Sequence, residues 1–546
     1  MKEKMKSAIL ILSLLFPISS FASSSQEQIK DSEGMSYYKS GYPQAAKILL
    51  LKELSNSPVD LPLTCYYLGN VYFETNKLDS ASFYYKKGLS SDVENPYCQV
   101  GLAQLQVKDN PAVAAEQIDG VLKGKNKKNL DLLIAVSRAY LQNGKVDEAI
   151  SYLELVKKYD SKYAPECVLG GDIAASQKKI GEACSQYEQA IYFDANCKEA
   201  YIKYARVYSK VNPQLAIEML LKLKALQPTF LPLEKELAAV YYSAGEYRNA
   251  IAAYEAFINS DCVTADDMTK YGMVLFLAKD YAKSLDVVNK GLLREPDNLI
   301  LKRLAMYDNY ELKEYNKGVA AAEKFFDRSE NPDYVYLDHL YYGRLLNALK
   351  KSDKAVAHYE KALKMETSKP EIWKELSETH EKMNNYGEAI NSFKNYLSAL
   401  GKEADVSDLF LLGRLYYYAG SAIADDSVPE NKVKKDADLA SADSVFSIVA
   451  QKVPDNYLGS FWRARTNSLL DPETTQGLAK PYYESALTIL ESKPDASKSL
   501  LVECNSYLGY YYFVKNDFPT SKTYWNKILT IDPDNETARK ALEGIK

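Results

Sequence analysis

The sequence predicts an all-α fold, a solenoid of stacked helical hairpins, and three observations carry that reading. The first is a unit that is cleanest at residues 234–262, EKELAAVYYSAGEYRNAIAAYEAFINSDC. Leu237, Ala238 and Tyr241 share one face at helical spacing, Gly245 interrupts the helix, and Ala250, Tyr254 and Phe257 continue the same stripe on a second helix. Apolar residues three to four apart on both sides of a short Gly turn describe a helical hairpin. The second observation is that the unit recurs; a single hairpin cannot bury its outer faces and needs neighbours. The third is composition: 45 Tyr stand against 16 Phe and 3 Trp in 546 residues, the inflation that a repeated motif produces. A chain of this length is too long for one compact core, but a stacked array has no such limit.

In chain order, residues 1–22 have the form of a secretory signal peptide. Lys2, Lys4 and Lys6 precede the apolar run 8–16, Pro17 breaks it, and Ser20-Phe21-Ala22 places small residues where a signal peptidase reads. The run is short for a bilayer span, and the first cysteine is Cys65, so no lipid anchor is expected near the cut. Mature protein is expected to start near Ser23 and to carry no membrane helix. Repeats occupy residues 23–534. Gly41 with Ala46 and Leu50 opens the series, followed by Leu68-Gly69, Tyr72, Ala81 and Tyr85. A degenerate unit lies around Gly101 and Pro111. Further units follow at Tyr140-Ala149, Gly171-Tyr187, Tyr204-Ala216, Gly245-Tyr254, Tyr271-Tyr281, a weaker one at Gly318-Phe325, then Gly343-Tyr359, Leu376-Phe393, Leu412-Ala442, Ala464-Tyr483 and Leu508-Trp525. Residues 535–546 read as a helix capping the last hairpin.

A period of about 34 residues in helix–turn–helix units is that of the tetratricopeptide repeat, and about 14 such units fit. The chain resembles that family through Leu68-Gly69-x2-Tyr72, Leu412-Gly413-x2-Tyr416 and Leu508-Gly509-x2-Tyr512. The resemblance implies a right-handed α-solenoid with an extended concave face that binds protein or peptide. Two segments depart from the pattern. Residues 419–436, polar and containing Pro429, lengthen a turn and read as a mobile surface loop. The atypical repeat 457–494 contains RARTNSLLDPETTQGLAKPYYE, whose Asp471-Pro472-Glu473 is an acidic helix-start signal. This run resembles exported repeat proteins of anaerobic gram-negative bacteria that are associated with TonB-type envelope systems. Arg463, Arg465, Asp471, Glu473, Lys480 and Tyr482 are its candidate contact residues.

Net charge is −5, and −7 without the first 22 residues, which carry three Lys and one Glu. No basic run suits phosphate contacts, so nucleic acid is not an expected partner. Catalytic motifs are missing: there is no GxSxG, phosphate loop or HExxH. His339 and His358 fall on the two helices of one hairpin, where they can face each other, but no third ligand stands at metal spacing. His380 takes a stripe position usually held by Tyr. Neither cofactor nor metal is expected. Seven cysteines at uneven spacing do not make a disulfide framework, and they read as small apolar fillers; Cys167 and Cys184 are the one pair that could meet.

What remains is binding. The leading reading is a non-catalytic, exported periplasmic scaffold that grips a protein or peptide on its concave face. The alternative is a structural accessory subunit of an envelope transport or secretion machine, touching partners through its outer surface and insertions. The resemblance implies that the ninth residue of each first helix looks into the groove. These are Arg138, Asp172 and Arg206 in one run and Arg344, Glu378 and Arg414 in another, with Tyr417 and Tyr418 supplying aromatic surface. Each triplet holds one acid between two arginines, either as a self-neutralised ladder or with one positive charge left for a carboxylate or phosphate of the ligand. A clamp for acidic chaperone tails is not expected: Asn70 fits one position, but Tyr66 replaces the required Lys and Leu102 the next Asn.

Overall fold

The computed structural model describes residues 31–56, 60–327, 333–425 and 427–545. Residues 1–22 therefore lie outside it. Every regular element among the described residues is helical, and the chain forms two compact units that divide between Ala278 and Lys279.

Unit 1 contains α1 (Glu33–Lys39), α2 (Pro43–Ser55), α3 (Leu61–Glu74), α4 (Leu78–Ser91), α5 (Pro96–Gln104), α6 (Pro111–Val121), α7 (Leu130–Gln142) and α8 (Val146–Tyr159). It continues with α9 (Ala164–Ser176), α10 (Ile180–Phe193), α11 (Lys198–Tyr208), α12 (Pro213–Leu226), α13 (Leu231–Ser243), α14 (Tyr247–Phe257) and α15 (Ala265–Leu277). Unit 2 contains α16 (Tyr281–Arg294), α17 (Leu299–Glu311), α18 (Tyr315–Phe326), α19 (Tyr336–Ala348), α20 (Ser352–Met365), α21 (Pro370–Lys382) and α22 (Tyr386–Ala399). It ends with α23 (Val406–Ser421), α24 (Pro429–Lys452), α25 (Tyr457–Leu470), α26 (Lys480–Glu491), α27 (Lys498–Val514), α28 (Phe518–Ile531) and α29 (Glu536–Gly544).

The hairpin rests on a contact repeated along both units. A glycine of the first helix faces an aromatic ring of the second, so closely that a Cβ would overlap it. A Cβ on Gly343 would lie 2.7 Å from Tyr359, one on Gly413 2.6 Å from Phe446, and one on Gly509 2.7 Å from Trp525. Gly69 with Tyr85 and Gly171 with Tyr187 repeat the arrangement. Tyr85, Tyr187 and Tyr359 are among the most deeply buried side chains. A serine hydroxyl adds a cross-hairpin bond in several repeats: Ser137 donates to the Ala149 carbonyl, Ser377 to Ala389 and Ser521 to Gly509, each at 2.7 Å.

The turns are chemically more varied than the Gly reading suggests. Gly144 and Gly245 sit at φ near +75°, but Asn76, Lys178, Lys313, Lys350, Asn384 and Asn516 take the left-handed conformation at φ 56–61° in equivalent turns. The backbone bonding is shared: Glu246 N–H donates to Tyr241 O, Lys77 to Tyr72 and Lys351 to Leu346, all at 2.9 Å. This is the six-to-one closure that ends a helix on a left-handed residue. The closure outweighs the modest left-handed penalty of Asn or Lys.

Two expectations about the atypical segments are corrected. Within 419–436 the chain is not one long loop: α23 runs to Ser421, α24 starts at Pro429 and is 24 residues long. Proline at the first helical position starts it, and Leu439 and Ala442 are its first buried residues. Asp471 does not start a helix. Its carboxylate accepts from the backbone N–H groups of Gln476 (3.0 Å) and Gly477 (2.6 Å), so it ties together the wide turn that precedes α26. Burial raises its pKa, but these bonds outweigh burial and hold the carboxyl below its usual range. All seven cysteines are buried and unpaired, including Cys167 and Cys184.

Candidate functional site

Successive first helices are joined by ion pairs. In unit 1, Lys203 of α11 pairs with Asp172 of α9, Arg206 of α11 with Glu236 of α13 (2.7 Å), and Lys235 of α13 with Asp267 of α15 (2.8 Å). Unit 2 repeats the pattern with Arg303 and Asp338 (2.6 Å), Arg344 and Glu375 (2.5 Å), and Arg465 and Glu503 (2.7 Å). A ladder exists, but with different rungs from those expected. Asp172 is taken by Lys203 and by the Tyr187 hydroxyl (2.9 Å), not by Arg138 or Arg206. Arg344 grips Glu375, one turn before Glu378. Arg414 approaches Glu381, one turn after Glu378. Consecutive hairpins meet with an offset, so the nearest opposite charge is a helical turn away from the equivalent position. Sequence reasoning therefore missed Lys203, Glu236, Glu375 and Glu381; opposite charges about one repeat apart, displaced by three positions, were the available signal.

The offset commits one arginine of each triplet, Arg206 and Arg344, to a carboxylate outside the triplet. Arg344 uses its planar fork on both Glu375 oxygens, at 2.9 and 3.0 Å from Nε, and its guanidinium lies over Tyr341 (5.4 Å). Arg206 donates from two nitrogens to one Glu236 oxygen and lies over Tyr42. Arg138 is half-buried; burial lowers its pKa, but the neighbouring Tyr38 and Asp172 outweigh that and keep the guanidinium charged. Asn70 turns inward and accepts from the buried Tyr85 hydroxyl at 2.7 Å.

Arg414 differs. Among the described residues it meets a carboxylate only at 3.7 Å, from Glu381. Its guanidinium sits over Tyr418 (5.3 Å), whose ring is 6.2 Å from Tyr386 and 5.7 Å from Tyr417. Tyr417 packs edge-on against Trp462 at 5.1 Å. Beside this aromatic wall, between first helices α21 and α23, is a cavity of about 270 Å³. Phe393, Leu411 and Leu415 give it an apolar floor, and Glu378, Glu381, Lys382 and Arg414 a charged rim. Glu378 is exposed. The arrangement suits one apolar side chain, with its backbone polar groups offered to a carboxylate on one side and a guanidinium on the other.

The candidates of the atypical repeat hold the fold together. Arg463 bonds both oxygens of Asp443 at 2.9 Å and also donates to the Tyr482 hydroxyl (2.8 Å). Arg465 bonds both oxygens of Glu503 at 2.7 Å. Lys480 pairs with Glu484 (3.0 Å), while Glu473 is exposed. His339 and His358 do face each other, Nδ1 to Nδ1, at 3.0 Å against Phe326. Burial, then the neighbouring His339, pushes the His358 pKa down to about 4. Among the described residues no group of three or more His, Cys, Asp or Glu is placed to hold a metal ion. Nor is any helix among them long and apolar enough to cross a membrane.

Stacked helical hairpins joined along one face define the class: a helical-repeat protein of the kind that serves as an interaction scaffold. The tetratricopeptide repeat family model matches residues 64–94, 130–163 and 342–368. The chain carries tetratricopeptide repeats at these positions. Among solved structures, it is similar to the C-terminal part of a repeat-containing protein of Cytophaga hutchinsonii, at 28% identity, covering 50% of this chain and 99% of that one, with a TM-score of 0.40. A tetratricopeptide repeat protein of Parabacteroides merdae matches at 17% identity over 46% of this chain and 98% of its own, TM-score 0.32. The Cut9–Hcn1 hetero-tetramer of the APC/C matches at 14% identity over 92% of both chains, TM-score 0.30. A comparison with curated proteins returned no match.

Proposed function

We propose that the protein is an exported, non-catalytic scaffold that holds a segment of a protein partner on the first-helix face of unit 2. The observation that carries this is the cavity between α21 and α23, where an apolar floor meets a loosely held Arg414 and an exposed Glu378. Elsewhere on that face the arginines are spent on neighbouring helices. The partner is a peptide or protein segment with an apolar anchor residue; an aromatic wall beside an apolar pocket is the usual make-up of a binding hot spot. Arg344, Tyr417 and Tyr418 shape the groove, while Glu378 and Arg414 contact the ligand. On this reading the expected preference for an acidic ligand gives way to an apolar anchor, because the pocket rim carries two acids as well as two bases.

Capture of the partner by the purified protein from the envelope fraction of its source cells tests the reading. Arg414→Glu and Leu415→Lys should each reduce capture strongly with unchanged helical circular dichroism. Undiminished capture by both would reject this site. Export is tested separately: mass analysis of the secreted chain should give a start near Ser23, and a start at Met1 would reject it.

A further inference from the structure

The first-helix face of unit 1 is closed by the unit's own first hairpin. The turn between α1 and α2 meets helices far along the chain. Arg206 of α11 donates to the Ser40 carbonyl (3.0 Å) and to Glu236 of α13 (2.7 and 3.1 Å). Its guanidinium lies 4.8 Å from the Tyr42 ring centre, and the Tyr42 hydroxyl donates to the same Glu236 carboxylate at 2.5 Å. Lys235 covers the same ring from 4.8 Å. Beyond α14, the Cys262 thiol donates to the Tyr37 hydroxyl (3.1 Å), and Lys52 pairs with Asp261. On α7, Gln142 donates to Tyr38 (3.2 Å) and to Glu74 (2.7 Å). Gly41 fits the contact twice over: its φ is +79°, and the Arg206 guanidinium fills the space a Cβ would need.

This seam is chemically unlike the packing within the hairpins. The hairpin α1–α2 is held to α3 by an apolar cluster of Ala46, Leu49, Leu50, Leu68 and Val71. The seam to α11, α13 and the residues after α14 is dominated by hydrogen bonds and ion pairs, with Leu231 and Cys262 as its apolar share. It is also incompletely filled: a cavity of about 460 Å³ lies along it, lined by Glu33, Leu49, Lys52, Asn259 and Asp261 among others. Polar contacts return much of their energy to water when they part, whereas apolar packing does not. The ring can therefore part at the seam while each hairpin stays folded.

We propose that the seam is a conformational latch: closed, the first hairpin is tied to α11, α13 and the residues after α14, and open, it leaves Arg206, Glu236 and Cys262 uncovered while staying packed on α3. Arg206 is the bolt, since it alone ties the Ser40 carbonyl, the Tyr42 ring and Glu236 together. The inference stands apart from the site on unit 2 and does not depend on it.

Cys262 reports the opening, because it is buried in one cluster with Met35 and Tyr37 of the first hairpin and donates to the Tyr37 hydroxyl across the seam. Alkylation of the full-length protein in native buffer, read cysteine by cysteine by mass spectrometry, provides the test. Cys65, Cys98, Cys167, Cys184 and Cys197, buried within hairpins, are internal controls. Arg206→Gln should accelerate modification of Cys262 by about tenfold or more, the loss expected for a charge-assisted hydrogen bond. The five control cysteines should keep their rates and the circular dichroism its form. Gly41→Val, which displaces Arg206 without removing its charge, should act in the same direction. An unchanged Cys262 rate in both variants would overturn the proposal, as would acceleration of all six cysteines together, since that is unfolding rather than unlatching.

Discussion

Asp308 offers the sharpest test of the energetics. The side chain lies on α17 with no exposure to solvent. Ser284 donates to Oδ2 at 2.7 Å, while Oδ1 is buried without a partner. Burial pushes its pKa up to about 7; the Ser284 bond opposes this and the Glu311 charge adds to it. An ordinary unfolded aspartate titrates near 3.9. The folded value is the higher one, so the native state holds the proton more tightly. Its contribution to stability is complete below about pH 4 and is lost as the pH rises to about 7. About three pKa units at 1.36 kcal/mol each correspond to roughly 4 kcal/mol over that window. Asp308→Asn removes the charge and leaves an acceptor for Ser284. Its fixed cost or gain is the same at every pH, so the change between conditions is diagnostic. Urea unfolding of unit 2, followed by circular dichroism at pH 5 and pH 8, should show the variant gaining roughly 2–3 kcal/mol on the wild type between the two. A difference that stays constant across pH would mean that Asp308 is not a buried, proton-holding group, and the packing around it would have to be reconsidered.

Further predictions concern the hairpin contact, the ladder and the histidine pair. Gly343→Ala sets a Cβ 2.7 Å from Tyr359 and should destabilise by roughly 1–3 kcal/mol despite the better helix former, as overpacking does. Gly181→Ala, which meets nothing within 4 Å, should instead stabilise by up to about 1 kcal/mol; thermal melts of both decide. Arg344→Ala strands a half-buried Glu375 and should cost about 1–2 kcal/mol, whereas Arg414→Ala, with one long contact, should cost about 0.5 kcal/mol or less. Equal losses in chemical denaturation would refute the distinction between a committed and an available arginine. The His358 imidazole should titrate near pH 4 by NMR; because its folded pKa is depressed, the stability it confers is present above about pH 6.5 and lost as the pH falls to about 4. A midpoint at the ordinary value would show the pair to be solvated.

The hairpins were legible because their contact is local. Gly343 and Tyr359, or Gly509 and Trp525, fall within one unit, and the motif spells out both partners. Three features were not legible, each for a physical reason. Which carboxylate Arg344 grips depends on the offset between neighbouring hairpins, and residue type at equivalent positions carries no information about it. The start of α24 was hidden because its first turns face solvent, so Val433 is exposed and the apolar stripe begins only at Leu439. The closure of unit 1 joins residues 104 to 225 apart, such as Tyr38 with Gln142 and Tyr37 with Cys262, and no local pattern encodes such pairs. The candidate site was half legible: Arg414, Glu378, Tyr417 and Tyr418 were singled out, while Phe393 read only as part of a repeat stripe and Leu415 was not singled out.

The central claim is that unit 2 takes its partner between α21 and α23, and site-directed photo-crosslinking in the source cells tests it most directly. A benzophenone amino acid at Leu411, on the cavity, is compared with one at Leu293, which is 85% exposed on second helix α16. The account predicts a discrete protein adduct from position 411 that Arg414→Glu abolishes, and none from position 293. Adducts from position 293 with none from 411 would contradict it and favour an accessory subunit that binds through its outer surface.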